Sequence, residues 1–244
     1  MSGTRPAFVA ALLREIAPLV KGWQTDSALR ARGIHLYWNE QAIVVCAGMG
    51  AQRATLAAQA AFAMGAVSSL TSIGWAGACD PAFHVGHVVE ASVVIDARTG
   101  ERFEGRSGVS RHSASGSVVF ESRPIIVTVP LPSSVHEKRR LAETYSASAV
   151  EMEAAAVARF AQIHQLPFFA VKAISDEADF ELPDMDGFVD AQGQFREAAF
   201  GLHVALRPWL WLRVLRMARS SKLAAENLSA ALRGRIASGW EENR

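Results

Sequence analysis

Cysteine is nearly absent. Cys46 and Cys79 are the only two in 244 residues, far apart and without Cys-x-x-Cys spacing. A disulfide framework and a thiolate metal site are therefore disfavoured, and both thiols are expected to be reduced, buried and small. An excess of one charge is missing too. Lys and Arg number 25 against 24 Asp and Glu, which leaves none of the basic footprint of a nucleic-acid binder. No uncharged stretch approaches the ~18 residues of a membrane span. Arg14 and Glu15 interrupt the apolar run Ala7 to Leu13, so no signal peptide and a cytoplasmic location are expected. No internal repeat is evident. What remains is half apolar and one-fifth charged, ordinary for one soluble α/β domain with a substantial core.

The chain alternates strand and helix signals. Phe8 to Leu12 reads as a strand feeding a helix over Leu13 to Val20. Ile34 to Trp38 and Ala42 to Ala47 flank Asn39-Glu40-Gln41, a hairpin pattern. Arg53 to Met64 is rich in alanine and helix formers, Gly65 stops it, and Ser69 to Gly74 is the next strand. Two β-rich runs follow, Val85 to Ile95 and Val118 to Val129, separated by a glycine- and serine-rich loop from Gly105 to Ser117. Ser134 to Tyr145 reads as a charged surface helix, Phe180 to Gln194 as a loop, and Phe195 to Ser238 as mainly helical. Such alternation predicts an α/β fold with a mixed central β-sheet flanked by helices. The expected division is an α/β domain over residues 7–206 and a helical C-terminal extension over 207–244.

Two strand ends carry the chemistry. Ser146 to Val150 leads into Glu151-Met152-Glu153-Ala154, and Pro167 to Ile174 leads into Ser175-Asp176-Glu177, with a helical pattern between. As a βαβ unit, this would bring Glu153 and Asp176 to one edge of a parallel sheet, where open α/β sheets bind small ligands. Bland readings stand beside it: Glu153 as an acid in the first turn of a helix, Met152 as core, Asp176 as a helix N-cap.

Val-Glu-Met-Glu-Ala followed by Ala-Ile-Ser-Asp-x-Ala-Asp resembles the nucleoside phosphorylase / methylthioadenosine–adenosylhomocysteine nucleosidase family. Ala47-Gly48-Met49-Gly50 resembles that family's Ser-Gly-Ile-Gly turn, Gly74-Trp75-Ala76-Gly77 its Gly-Ser-Ala-Gly loop, and Val85-Gly86-His87-Val88-Val89 its Val-Gly-Asp-Ile-Val strand. The similarity covers roughly residues 8 to 180. It implies cleavage of a purine N-glycosidic bond, with Asp176 as the acid that protonates the base and Glu153 accepting hydrogen bonds from the ribose hydroxyls. Met152 would pack on the sugar, and Glu151, Ser175, Trp75, Ala76 and Gly77 would complete the substrate site. Glu15 falls on the nucleosidases' water-activating glutamate, although Leu13 and Arg14 replace the two glutamates before it; the residues alone read as a surface helix. The resemblance therefore implies hydrolysis, with phosphorolysis as the alternative and a non-catalytic nucleoside-binding protein as a second.

Departures bear on the substrate. Trp75 stands where the family commonly has serine, Ser72 where hexameric phosphorylases show arginine, and Thr128-Val129-Pro130-Leu131-Pro132 replaces the segment that supplies a base-stacking aromatic. Trp75-Ala76-Gly77-Ala78-Cys79-Asp80-Pro81 and the arginine-rich tail resemble the hopanoid-associated phosphorylase branch, which implies an adenosyl lipid. Arg14, Arg53 and the Gly48-Met49-Gly50 turn are candidate phosphate contacts. No cofactor and no metal are expected: His84 and His87, in a stretch read as β, would point to opposite faces. His112 and His136 are candidates to line a pocket. The expected partners are a nucleoside and, in the phosphorolytic alternative, phosphate, within a homodimer or higher homo-oligomer. In the tail, Trp209, Trp211, Leu212, Leu215 and Met217 interleave with Arg207, Arg213, Arg216, Arg219 and Lys222. That composition fits peripheral contact with an anionic membrane or a helix packed on the sheet with a solvated basic face.

Overall fold

A computed structural model describes residues 4–106, 123–184, 187, 188, 190 and 195–237. β1 (Arg5–Ala10) is buried from Pro6 onward, as a strand covered on both faces must be. It ends before Leu12, which precedes α1 (Leu13–Ile16), a helix of one turn rather than two. β2 (Gln24–Thr25), α2 (Ser27–Ala31), β3 (His35–Trp38) and β4 (Ile43–Cys46) follow. β3 and β4 form the expected antiparallel hairpin. Its turn is held by Asn39 Oδ1, which accepts from the N–H groups of Gln41 and Ala42, both at 2.9 Å. α3 (Ala51–Ala63) buries Ala54, Ala57, Ala58 and Ala61, the spacing of one helix face. Gly65 ends it at φ +72°, in the left-handed position that glycine fills at low cost.

β5 (Val67–Ala78) runs for 12 residues. It runs on past the expected end at Gly74 through Trp75-Ala76-Gly77, part of the stretch that resembles the family's Gly-Ser-Ala-Gly loop, because each of these residues is paired to a neighbouring strand. β6 (Val88–Glu90), β7 (Val93–Asp96), β8 (Arg102–Glu104), β9 (Ile125–Thr128), α4 (Val135–Tyr145), β10 (Ala149–Glu151), α5 (Ala154–Ile163), β11 (Phe168–Asp176), α6 (Glu197–Ala205) and α7 (Trp211–Ala237) complete the order. The β-run expected over Val85 to Ile95 is two strands. Its backbone changes partner midway: Ala91 N–H donates to Ala170 and Ser92 N–H to Pro124. His84 and His87 are not on opposite faces of a strand; they share a turn before β6, where His84 N–H donates to His87 Nδ1 at 3.2 Å. The loop expected from Gly105 to Ser117 lies outside the described residues beyond Arg106, and so does His112.

The mixed sheet has the order β2-β3-β4-β1-β5-β10-β9-β7-β8, with β11 on β5 and β6 on β11. Alternation along β1 divides the core in two. Ala7 and Val9 face the alanines of α3 and α5, while Phe8 and Ala10 face Ile16 and the α7 residues Ala224, Leu228 and Leu232. The second half of α7 is thus built into the core. Among the described residues, no helix is long and apolar enough to cross a membrane.

Candidate active site

The site forms where β5 changes neighbours. β5 pairs with β1 over Val67 to Ser72 and with β11 over Leu70 to Gly77, so these two occupy opposite edges. Past the end of β1 the vacated edge is taken by β10, antiparallel at Gly77 and Ala78. Glu153 and Asp176 therefore do not follow adjacent parallel strands, as a simple βαβ unit would have them. β10 and β11 meet β5 from opposite sides at Gly77, which pairs with both Val150 and Asp176. A change of neighbours of this kind opens a crevice at strand ends.

A cavity of about 710 Å³ occupies that crevice. All nine residues expected at the site line it: Asp176 and Glu15, Glu151, Met152 and Glu153, Ser175, and Trp75, Ala76 and Gly77. Glycine permits close approach at two positions. A Cβ on Gly77 would lie 2.7 Å from Asp176 Oδ2, and one on Gly74, at φ +131°, 2.8 Å from Glu15 Oε2.

Each carboxylate has its own setting. Asp176 ends a strand and caps no helix. Ser175 Oγ donates to its Oδ1 at 2.7 Å, and its Oδ2 contacts the Lys138 ammonium. Lys138, on the helix expected to lie on the surface, is 1% exposed and also donates to the carbonyls of Glu177 (2.9 Å) and Phe180 (3.2 Å). Glu15 is buried rather than a surface residue. Its Oε2 accepts from the N–H groups of Ala11 and Leu12, both at 3.1 Å. Burial raises its pKa against the pull of Lys172, these two donors and Arg14.

Glu151 is the best satisfied. It accepts from Thr128 Oγ1 (2.5 Å), from the N–H groups of Glu153 and Ala154, and from Lys172 Nζ at 2.9 Å. It thereby satisfies N–H groups at the start of α5. Glu153 Oε1 accepts only the Gly50 N–H, at 2.8 Å. Burial, and then the neighbouring Glu151, push its pKa up to about 8. Lys172 is itself 1% exposed. Burial works to lower its pKa, but Glu151, Glu153 and Glu15 outweigh that and hold it above the usual lysine range.

The phosphate candidates are mostly committed elsewhere. Arg53 donates to the carbonyls of Ala47 and Gly33, and the Gly50 N–H is given to Glu153. Arg14 lines the cavity with its guanidinium stacked on Trp75 and Phe195, 5.2 Å from each ring. Trp75 Nε1 is buried with no hydrogen-bond partner. Cys46 and Cys79 are free and buried, and burial pushes both thiols up to about 12, which disfavours the reactive thiolate form.

The sequence reading missed Lys138 and Lys172. A lysine inside the apolar run Phe168 to Ile174 was a usable signal, because a charge in a strand buried on both faces requires a partner. Lys138 gave only its spacing: it lies three residues before Leu141, the other buried position of α4.

Fold and site together define an α/β protein with an acidic small-ligand cavity at the ends of its central strands. More narrowly, the chain belongs to the phosphorylase superfamily, whose family model matches residues 7–128 and 113–206. No curated protein matches it in sequence. Among solved structures, it is similar to the 5′-methylthioadenosine/S-adenosylhomocysteine nucleosidase of Neisseria meningitidis, with a TM-score of 0.70, 19% identity, and 96% of this chain and 98% of that chain covered. The Helicobacter pylori nucleosidase of the same name gives 0.69 at 16% identity, covering 98% and 100%. The futalosine hydrolase of the same organism gives 0.64 at 16%, covering 96% and 98%.

Proposed function

We propose that this protein hydrolyses the N-glycosidic bond of a purine nucleoside or adenosyl compound and releases the base. The observation that carries this reading is the convergence of Asp176, Glu153 and Glu15 from three separate segments on one cavity. Cleavage leaves positive charge on the sugar and negative charge on the base. Glu151 is paired with the buried ammonium of Lys172, and Glu15 and Glu153 add two further carboxyl groups to the same cavity, whose oxygens can accept from and stabilise a sugar becoming cationic. The proton for the departing base comes from the Lys138–Asp176 pair, with Asp176 as the group in contact. Glu15 removes a proton from the attacking water, a role that its raised pKa suits.

The nucleosidases and the futalosine hydrolase that the chain resembles support hydrolysis by analogy of fold. Phosphorolysis is the competing reading, favoured by Arg14 in the same cavity. The deciding experiment incubates the protein with adenosine, methylthioadenosine or adenosylhomocysteine, with and without phosphate, and identifies the sugar product. Free base with ribose or its 5′-substituted form supports hydrolysis. A sugar 1-phosphate overturns hydrolysis in favour of phosphorolysis, and binding without base release leaves a nucleoside-binding protein. Glu15→Gln is expected to lower hydrolysis at least a hundredfold at any phosphate concentration.

A further inference from the structure

Residues 198–225 carry four arginines, one lysine and no acidic residue, in a chain whose formal net charge is only +1. The same stretch exposes Leu202, Leu206, Trp209, Trp211, Leu212 and Leu215, with Trp209 74% and Leu212 83% exposed. On α7, Trp211, Leu215 and Arg219 follow one another at four-residue intervals, which sets them along one helix face. Val214 and Met217 line the cavity instead. Arg207 donates to the His203 carbonyl, and Arg216 pairs with Glu177 at 3.0 Å while stacking over Phe180. Arg213 and Arg219 are exposed.

We propose that this corner, from α6 into the first half of α7, is a docking surface for an anionic lipid membrane. Tryptophan and leucine beside arginine suit the boundary between headgroups and acyl chains, and the missing acids give the patch the charge that anionic headgroups complement. A second copy of this chain fits less well. A two-fold contact would set the patch against itself and bring its like charges together. Because residues of both helices line the cavity, the docking face and the candidate active site share a wall.

The test sediments the full-length protein with phosphatidylcholine vesicles, with and without phosphatidylglycerol, at low and high salt. Retention is expected on the anionic vesicles and is expected to fall as salt rises. Arg213→Gln with Arg219→Gln should weaken partitioning roughly thirtyfold, about fivefold for each charge. Trp209→Ala with Leu212→Ala should weaken it on the same vesicles. None of these four residues lines the cavity, so base release from a soluble nucleoside should be unchanged. If the tryptophan variant does not fold, as read by circular dichroism, the arginine variant decides, since both its positions are exposed. The proposal fails if wild type is not retained, if neutral and anionic vesicles retain it equally, or if the arginine variant partitions like wild type. It also fails if sedimentation shows a dimer that the tryptophan variant dissolves, which would make the face a protein interface.

Discussion

At the scale of single residues, the proposed function gives Asp176 and Lys138 separable roles. Asp176→Asn keeps shape and hydrogen bonding but removes the carboxylate. Turnover is expected to fall ~10²–10⁴-fold in a base-release assay. Lys138→Met instead leaves a buried carboxylate without its ammonium. Denaturant unfolding should show a loss of about 3–5 kcal/mol. Combining the two substitutions should restore most of that stability and none of the turnover; recovered turnover would remove Asp176 from the chemistry. For Glu153, which burial keeps protonated below about pH 8, a bond from a sugar hydroxyl to the charged form contributes ~1.5–3 kcal/mol once the pH is above that value. Glu153→Gln should accordingly lower kcat/KM roughly ten- to hundredfold on a riboside and much less on the 2′-deoxyriboside, where a partner hydroxyl is missing. Equal losses on both sugars would show that Glu153 does not read the diol.

At the scale of elements, the long strand β5 matters more than any motif on it. Its first half is held by β1 and its end by β10, and β11 runs along the other edge. The crevice exists because β1 stops before β5 does. Gly77 sits where β10 and β11 converge on it, and its backbone does not need glycine's conformational freedom, so Gly77→Ala tests close approach alone. The added methyl would meet Asp176 Oδ2 and, at 3.0 Å, Lys138 Cε. The expected cost is ~1–3 kcal/mol of stability, together with a drop in kcat as Asp176 is displaced. Unchanged kcat would show that the carboxylate has room to move without consequence.

At the scale of the whole molecule, Glu153 makes stability depend on pH. Its pKa is raised by burial from 4.5 to about 8 in the folded chain, so between those values the native state holds a proton that the unfolded state has lost. Stability from this group is fully present below pH ~4.5 and declines as pH rises toward about 8. Thermal melts should show that decline, and Glu153→Gln, which has no proton to lose, should flatten it and melt higher than wild type at pH 8. A variant with the same pH slope as wild type would place the buried proton elsewhere.

Alternating apolar segments, the Asn39 turn, the alanine faces of α3 and α5 and the carboxylates after two strands are properties of neighbours in sequence. The sequence alone therefore determined the α/β class, the hairpin and which strand-end carboxylates line the cavity. Other features depend on residues far apart in the chain. The β5 extension rests on pairing with residues almost a hundred positions away, and Glu151 became a lysine partner only once Lys172 stood beside it. Lys138 looked like one more charge on a polar helix until α4 packed it against Asp176, and the second half of the tail became core only by covering Phe8 and Ala10. Only the tertiary structure decided these points, because burial and charge pairing are set by which strands become neighbours.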